Sequence, residues 1–189
     1  MKEYFITTKR TGFATWSEAD IDDAFKLWGD PAVSKYLSSK GVIENEYIYE
    51  KLKNEIETFN RYKIQYWPVY LLQTGELIGC SGFKPYENNI LEMGMHIKPK
   101  FWGARITMEI PIACIRYAFE ELKVEALLAR HHPDNRSSRN LLAKLGFENF
   151  KSEFCASTGL NHPFYLLNKE GYIELIKNDN NDISYTVIK

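Results

Sequence analysis

A mixed α/β sheet is the fold class that this 189-residue sequence predicts, and three observations carry it. Residues 65–97 hold three apolar runs separated by tight turns, the pattern of an antiparallel meander. Residues 106–122 then switch to helical spacing, and a new apolar run follows at 126–130. Strand–helix–strand after a meander calls for a right-handed crossover, so antiparallel and parallel pairs share one sheet.

The elements follow in order. Tyr4 to Thr8 reads as a first strand and Phe13 to Trp16 as a second. Ser17 stands three residues before Asp20, a helix N-cap with an acidic first turn, and Ala24, Phe25, Leu27 and Trp28 give that helix its apolar face. Gly29-Asp30-Pro31 ends it and opens the next, with Asp30 as N-cap and Pro31 at the first helical position. A longer helix from about Glu44 to Tyr62 aligns Ile48, Leu52, Ile56 and Phe59. The meander is Gln65 to Gln73, a Thr74-Gly75 turn, Leu77 to Phe83, an Asn88-Asn89 turn, and Ile90 to Ile97. Pro99 lacks an N–H and ends the ladder.

In the helix after it, Ile106, Ile110, Cys114, Tyr117 and Leu122 mark one face, while Pro111 cannot donate to the Thr107 carbonyl and predicts a kink. Next come a strand at Ala126 to Arg130, a helix at Asn135 to Leu145 closed by Gly146 as left-handed C-cap, and strands at Phe150 to Ala156 and Phe164 to Leu167. Residues 1–177 are thus expected to form one domain. The run from Asn178 to Asp182 is too polar to bury and reads as a joint, and the segment up to 189 is either a late strand or a loosely held tail.

Charge and cysteine usage narrow the function classes. Lys plus Arg is 24 against 25 Asp plus Glu, so general nucleic-acid binding, which rests on basic excess, is disfavoured. The three cysteines lack C-x-x-C spacing, which argues against a disulfide framework or a zinc knuckle and for a reducing, cytoplasmic setting. No stretch approaches the roughly 18 apolar residues of a membrane span, and MKEYFITTKR has no signal-peptide core. His131 and His132 face opposite sides as strand neighbours, and His162 is expected in a loop, so no metal is implied.

The chemistry points to Lys98 through Glu109, where a strand ends, a glycine turn follows and a helix begins. Unpaired amides and the positive end of the helix dipole converge there, a geometry suited to phosphate, and Lys98, Lys100 and Arg105 add charge. Taken alone, the spacing fits an ordinary strand–helix connection, and Walker and dinucleotide glycine patterns are absent. A second stretch runs from Pro133-Asp134-Asn135 through Ser138 to Lys144-Leu145-Gly146-Phe147.

Together with Gly75-Glu76-Leu77-Ile78-Gly79, Glu92-Met93-Gly94-Met95-His96-Ile97, Phe101-Trp102-Gly103 and Tyr117-Ala118-Phe119, these pieces closely resemble the GNAT superfamily of acyl-CoA-dependent N-acetyltransferases. The similarity is greatest to the branch of ribosomal-protein alanine and spermidine acetyltransferases, and it covers Thr8 to about Leu175. The resemblance implies the GNAT fold, with acetyl-CoA as co-substrate and a primary amine as acceptor: a protein N-terminus, a polyamine or a small amine. It implies that Met95, His96 and Ile97 line the pantetheine arm, with the Met95 or Ile97 N–H as oxyanion donor. Trp102, Gly103, Ala104, Arg105, Ile106 and Thr107 match the pyrophosphate loop.

By the same resemblance Asn135 bonds the pantetheine arm, or only caps its helix. Ser138 protonates the leaving thiolate, or bonds its own backbone. Glu92 serves as base, often through water, or holds the amine electrostatically. His96 stands where the family usually has Trp, on the same strand face as Glu92, and is a second candidate base. Arg105 replaces a loop glycine and either crowds the pyrophosphate or grips it. The rival reading is a non-catalytic CoA-binding module that keeps the fold, with a nucleotide-binding α/β protein behind it. A sheet edge or the last segment offers a route to a homodimer.

Overall fold

The computed structural model describes residues 2–178 and 185–188. Strands β1 (Ile6–Thr7) and β2 (Thr11–Phe13) precede helices α1 (Ile21–Trp28), α2 (Pro31–Ser34) and α3 (Asn45–Tyr62). The meander is β3 (Tyr66–Leu71), β4 (Leu77–Pro85) and β5 (Ile90–Ile97). After it come α4 (Ile106–Glu120), β6 (Ala126–Arg130), α5 (Arg136–Lys144), β7 (Glu148–Cys155), β8 (Leu160–Asn168), α6 (Lys169–Lys177) and β9 (Thr186–Val187). The strands form one sheet in the order β7-β8-β6-β5-β4-β3-β2-β1-β9. β5 and β6, joined by α4, pair in parallel, while the other registered pairs are antiparallel. This is the mixed sheet with a crossover that the sequence predicts.

Strand alternation sends side chains to two cores. Trp67, Val69, Ile78 and Phe83 pack with Ile110, Ala113 and Cys114 of α4 on one face. Tyr66, Tyr70 and Cys80 pack with Leu27 and Trp28 of α1 and Ile48 and Leu52 of α3 on the other. The stripe on α4 is apolar nearly all round, which is why it lies against the sheet along its length. It runs unbroken through Pro111. Its buried Glu109 accepts from the Arg10 backbone N–H at 2.9 Å and from Arg10 Nε at 2.7 Å, tying the β1–β2 turn to the helix.

Three local expectations are corrected. The second strand is Thr11–Phe13 rather than Phe13 to Trp16: Ala14 N–H still donates to the Pro68 carbonyl, but Pro68 has no N–H to return and the ladder stops. His162 lies buried within β8, its ring bonded to Thr158 Oγ1 at 2.8 Å, and not in a loop. Helix α6 was not anticipated; Asn168 caps it by accepting from Gly171 N–H, and Tyr172 stacks on Phe119 at 4.6 Å. Thr186–Val187 pair with β1, and Tyr185 donates to Glu120. Positions 179–184, most of the expected polar joint, lie outside the described residues.

Candidate active site

The sheet opens along β5. Its register with β4 runs from Leu91↔Pro85 to Ile97↔Gly79, whereas its register with β6 stops at Met93↔Ala129. The Ile90 carbonyl accepts from Tyr86 N–H and Lys98 N–H donates to the Ile78 carbonyl, so even-numbered backbone groups face β4. The amides of Met95 and Ile97 therefore face the β6 side, past the end of that pairing. The Ile97 carbonyl is taken by the Trp102 indole N–H at 2.7 Å. Among the described residues the N–H groups of Met95 and Ile97 stay open, since the β5–β6 pairing ends at Met93.

A second set of open amides lies at the entry to α4. Ala104 N–H donates to Phe101, Thr107 N–H to Ala104, and both Met108 and Glu109 N–H to the Arg105 carbonyl. Among the described residues the N–H groups of Gly103, Arg105 and Ile106 have no acceptor. Gly103 makes the turn with φ +74°, a conformation that disfavours any residue carrying a Cβ. Arg105 is already helical at φ −54° and ψ −28°; its side chain is exposed and is not part of the cleft wall, so it does not crowd the cleft. The Ile106 side chain is buried in the core, which leaves only its amide for the site. Thr107 Oγ1 donates to the Ala104 carbonyl at 2.6 Å and steadies the turn.

Both stretches that the sequence singled out border one open cleft of about 1420 Å³. Met95, His96, Ile97, Trp102, Gly103, Ala104 and Thr107 line it from one side, and Asn135 and Ser138 from the start of α5. Asn135 Oδ1 accepts from Ser138 N–H at 3.1 Å, capping the helix, and its amino group is left for other use. The Ser138 hydroxyl has no hydrogen-bond partner among the described residues.

Charged side chains fill the other end. β5 directs Glu92, Gly94 and His96 toward α1 and α3, and the Tyr66 ring lies so close to Gly94 that a Cβ there would fall within 2.4 Å of it. Glu92 accepts from Arg130 Nε at 2.9 Å and stands opposite Lys84 in the β4–β5 register. His96 Nδ1 accepts from Trp28 Nε1–H at 3.1 Å. Burial, with Lys51 and Lys84 nearby, holds His96 well below the ordinary histidine value, so the ring is neutral. With Nδ1 as acceptor, the neutral ring carries its proton on Nε2.

Sequence reasoning missed Glu55, Lys51, Tyr66 and Lys84, which border this end. Glu55 is 1% exposed; its Oε2 accepts from Tyr66 N–H at 2.8 Å and its Oε1 lies 3.6 Å from Lys84 Nζ, with no hydrogen-bond partner among the described residues. The signal was present: Ile48, Leu52 and Glu55 fall on one helical stripe, so a carboxylate sits where the pattern asks for an apolar residue. His131 stacks on Tyr165 and His132 lies tilted against Tyr36, so the two histidines point apart. Among the described residues no His, Cys, Asp and Glu cluster is arranged to hold a metal.

Fold and cleft define the class: a mixed-sheet α/β transferase fold whose central strand parts from its parallel neighbour beside a helix start with free amides. A family model described as an acetyltransferase (GNAT) domain matches residues 10–148. The chain belongs to that GNAT acetyltransferase family and is, by class, an N-acetyltransferase enzyme. It is similar to the uncharacterized N-acetyltransferase p20 of Bacillus licheniformis, 25% identical over 76% of this chain and 82% of that protein. A GNAT-family acetyltransferase structure from Bacillus anthracis covers 88% of this chain and 99% of its own, with TM-score 0.73 and 22% identity. The spermidine N-acetyltransferase of Vibrio cholerae, solved with CoA and spermine, covers 86% and 98%, with TM-score 0.70 and 15% identity. At these identities the two structures speak to the fold. No helix among the described residues is long and apolar enough to cross a membrane.

Proposed function

We propose that the protein transfers an acetyl group from acetyl-CoA to a primary amine by direct attack within a ternary complex, in the cytoplasm. The observation that carries this reading is the end of β5–β6 pairing at Met93, which leaves the Met95 and Ile97 amides open next to those of Gly103, Arg105 and Ile106. Three of these donors, on Met95, Ile97 and Gly103, belong to residues that line the cleft, and those of Arg105 and Ile106 follow at its edge. Such an array suits a ligand with an extended amide arm at one end and a diphosphate at the other. The three amides at the α4 entry, aided by the helix dipole, hold the pyrophosphate; Trp102, Ala104 and Thr107 wall it. In this reading Arg105 contributes its amide, with its guanidinium outside the cleft. Asn135 bonds the pantetheine arm. Three unpaired cysteines, Cys80, Cys114 and Cys155, fit a reducing compartment.

In the transfer, the amine nitrogen forms a bond to the thioester carbonyl carbon and the carbon–sulfur bond breaks. The oxyanion between those events is held by the Met95 or Ile97 N–H. Glu92, steadied by Arg130, takes the proton that the amine sheds, through water, and the Ser138 hydroxyl gives a proton to the departing thiolate. His96 is the second candidate base, but its Trp28 bond occupies Nδ1, so we assign it to donate from Nε2 toward the acceptor.

Calorimetric titration with acetyl-CoA, followed by thiol release over a panel of amines, tests the reading. Binding with amine-dependent thiol release is expected, and Glu92→Gln should lower turnover roughly a hundredfold with little change in coenzyme affinity. Absence of acetyl-CoA binding defeats the proposal. Binding without release from any amine turns it to the non-catalytic module.

A further inference from the structure

The charged end of the cleft has a cation to spare. Lys84 pairs with Glu55 at 3.6 Å and Arg130 with Glu92 at 2.9 Å. Lys51, one helical turn before Glu55 and on the cleft wall, has no carboxylate within ion-pair distance among the described residues. Its ammonium instead lies 5.0 Å from the centre of the Trp28 ring. His96 is neutral, so Lys51, Lys84 and Arg130 face Glu55 and Glu92 at this end, while the other α3-side carboxylates on the cleft wall, Glu44 and Glu50, are exposed. Burial first, and then the neighbouring Lys84, lower the Lys51 pKa, against a smaller opposing pull from Glu55.

We propose that the acceptor is a small amine that also carries an anionic group, a carboxylate or a phosphate, which Lys51 grips with Lys84 beside it. The inference rests on the acetyltransferase reading and narrows its substrate class. The anionic group supplies the counter-charge that Lys51 lacks. Glu55 Oε1, ion-paired with Lys84 but without a hydrogen-bond donor among the described residues, accepts from the amine end together with Glu92, so both ends of a zwitterionic ligand find complements. A polyamine brings only positive charge to a wall that already presents two lysines, and is disfavoured by like-charge repulsion.

Matched pairs of amines test this: 4-aminobutyrate against 4-aminobutanamide, glycine against glycinamide, and O-phosphoethanolamine against ethanolamine, with spermidine as the polycation. Binding to the CoA-saturated protein is measured by calorimetry and kcat/KM by thiol release. The anionic member of at least one pair is expected to be favoured by about tenfold, and whether the carboxylate or the phosphate pair discriminates names the group. Lys51→Met should erase that preference and Lys51→Arg, which keeps the charge, should retain it. Spermidine or the neutral members being favoured overturns the inference, as does binding of no anionic amine or a preference that survives Lys51→Met. If acetyl-CoA binds normally in those cases, only the substrate class is lost; if it does not bind, the acetyltransferase reading falls as well.

Discussion

The two ends of the cleft are built from different materials. At the α4 entry the working groups are backbone amides, presented by a glycine turn, a helix start and a strand that has lost one neighbour. At the α3 end they are charged side chains, Lys51 and Glu55 from a helix, Lys84, Glu92 and His96 from two strands, and Arg130 from a third. A backbone site depends on chain conformation and tolerates many side chains; a side-chain site depends on which residues meet. The first should therefore be sensitive to φ and ψ, the second to charge.

The largest effect is expected where the second end is tied to the fold. Glu55→Ala leaves the Tyr66 N–H without its acceptor and Lys84 without its partner in a buried setting, and should cost about 3 kcal/mol in chemical denaturation. Glu55→Gln keeps an acceptor for the amide and should cost less. Equal losses for the two variants would show that the Tyr66 bond is not what Glu55 supplies.

Backbone sensitivity is tested next. Gly103→Val puts a β-branched residue at φ +74°, where open space surrounds the new Cβ, so any loss comes from conformation and not from collision. A loss of about 1–2 kcal/mol is expected, with weaker acetyl-CoA binding by calorimetry. An unchanged affinity would break the link between this turn and the coenzyme.

The smallest effect is a pH slope. Unfolded, His96 takes up a proton near pH 6.5; folded, it does so only well below that value. Below pH 6.5 the unfolded state thus binds more protons, and folding stability falls as pH falls, while above it the residue contributes no slope. Between pH 6.5 and 5.5 this amounts to about 1 kcal/mol. His131 and His162 are lowered too, so wild type keeps some slope from them, and His96→Gln should flatten the curve by about that amount. Parallel curves would mean that His96 protonates freely in the folded chain.

How much was legible divides along the same line. The meander, the crossover and the α4 entry were readable because period-2 and period-3.6 patterns and turn glycines act within a few residues of each other. Helix α6 escaped because its inward face, Tyr172 and Leu175, is short, its first turn holds Gly171, and it follows β8 without a loop; its cap, Asn168, is also the last residue of β8. The second strand was misplaced because its end depends on Pro68, more than fifty residues away, which cannot return a hydrogen bond. His162 looked like a loop residue because the start of β8 is set by its pairing with β7, where His162 stands opposite Glu153, and not by an apolar run of its own.

Sequence alone determined the fold class, the strand that parts from its neighbour's helix and the loop that frees its amides, since each follows from local hydrogen-bonding rules and hydrophobic periodicity. Tertiary structure alone decided that Trp28 takes the free nitrogen of His96, that Glu55 meets Tyr66 and Lys84, and that Lys51 lies over the Trp28 ring with no carboxylate within ion-pair distance among the described residues. Coulomb and hydrogen-bond energies depend on distance and burial, and residues far apart along a chain acquire both only when the sheet brings them together.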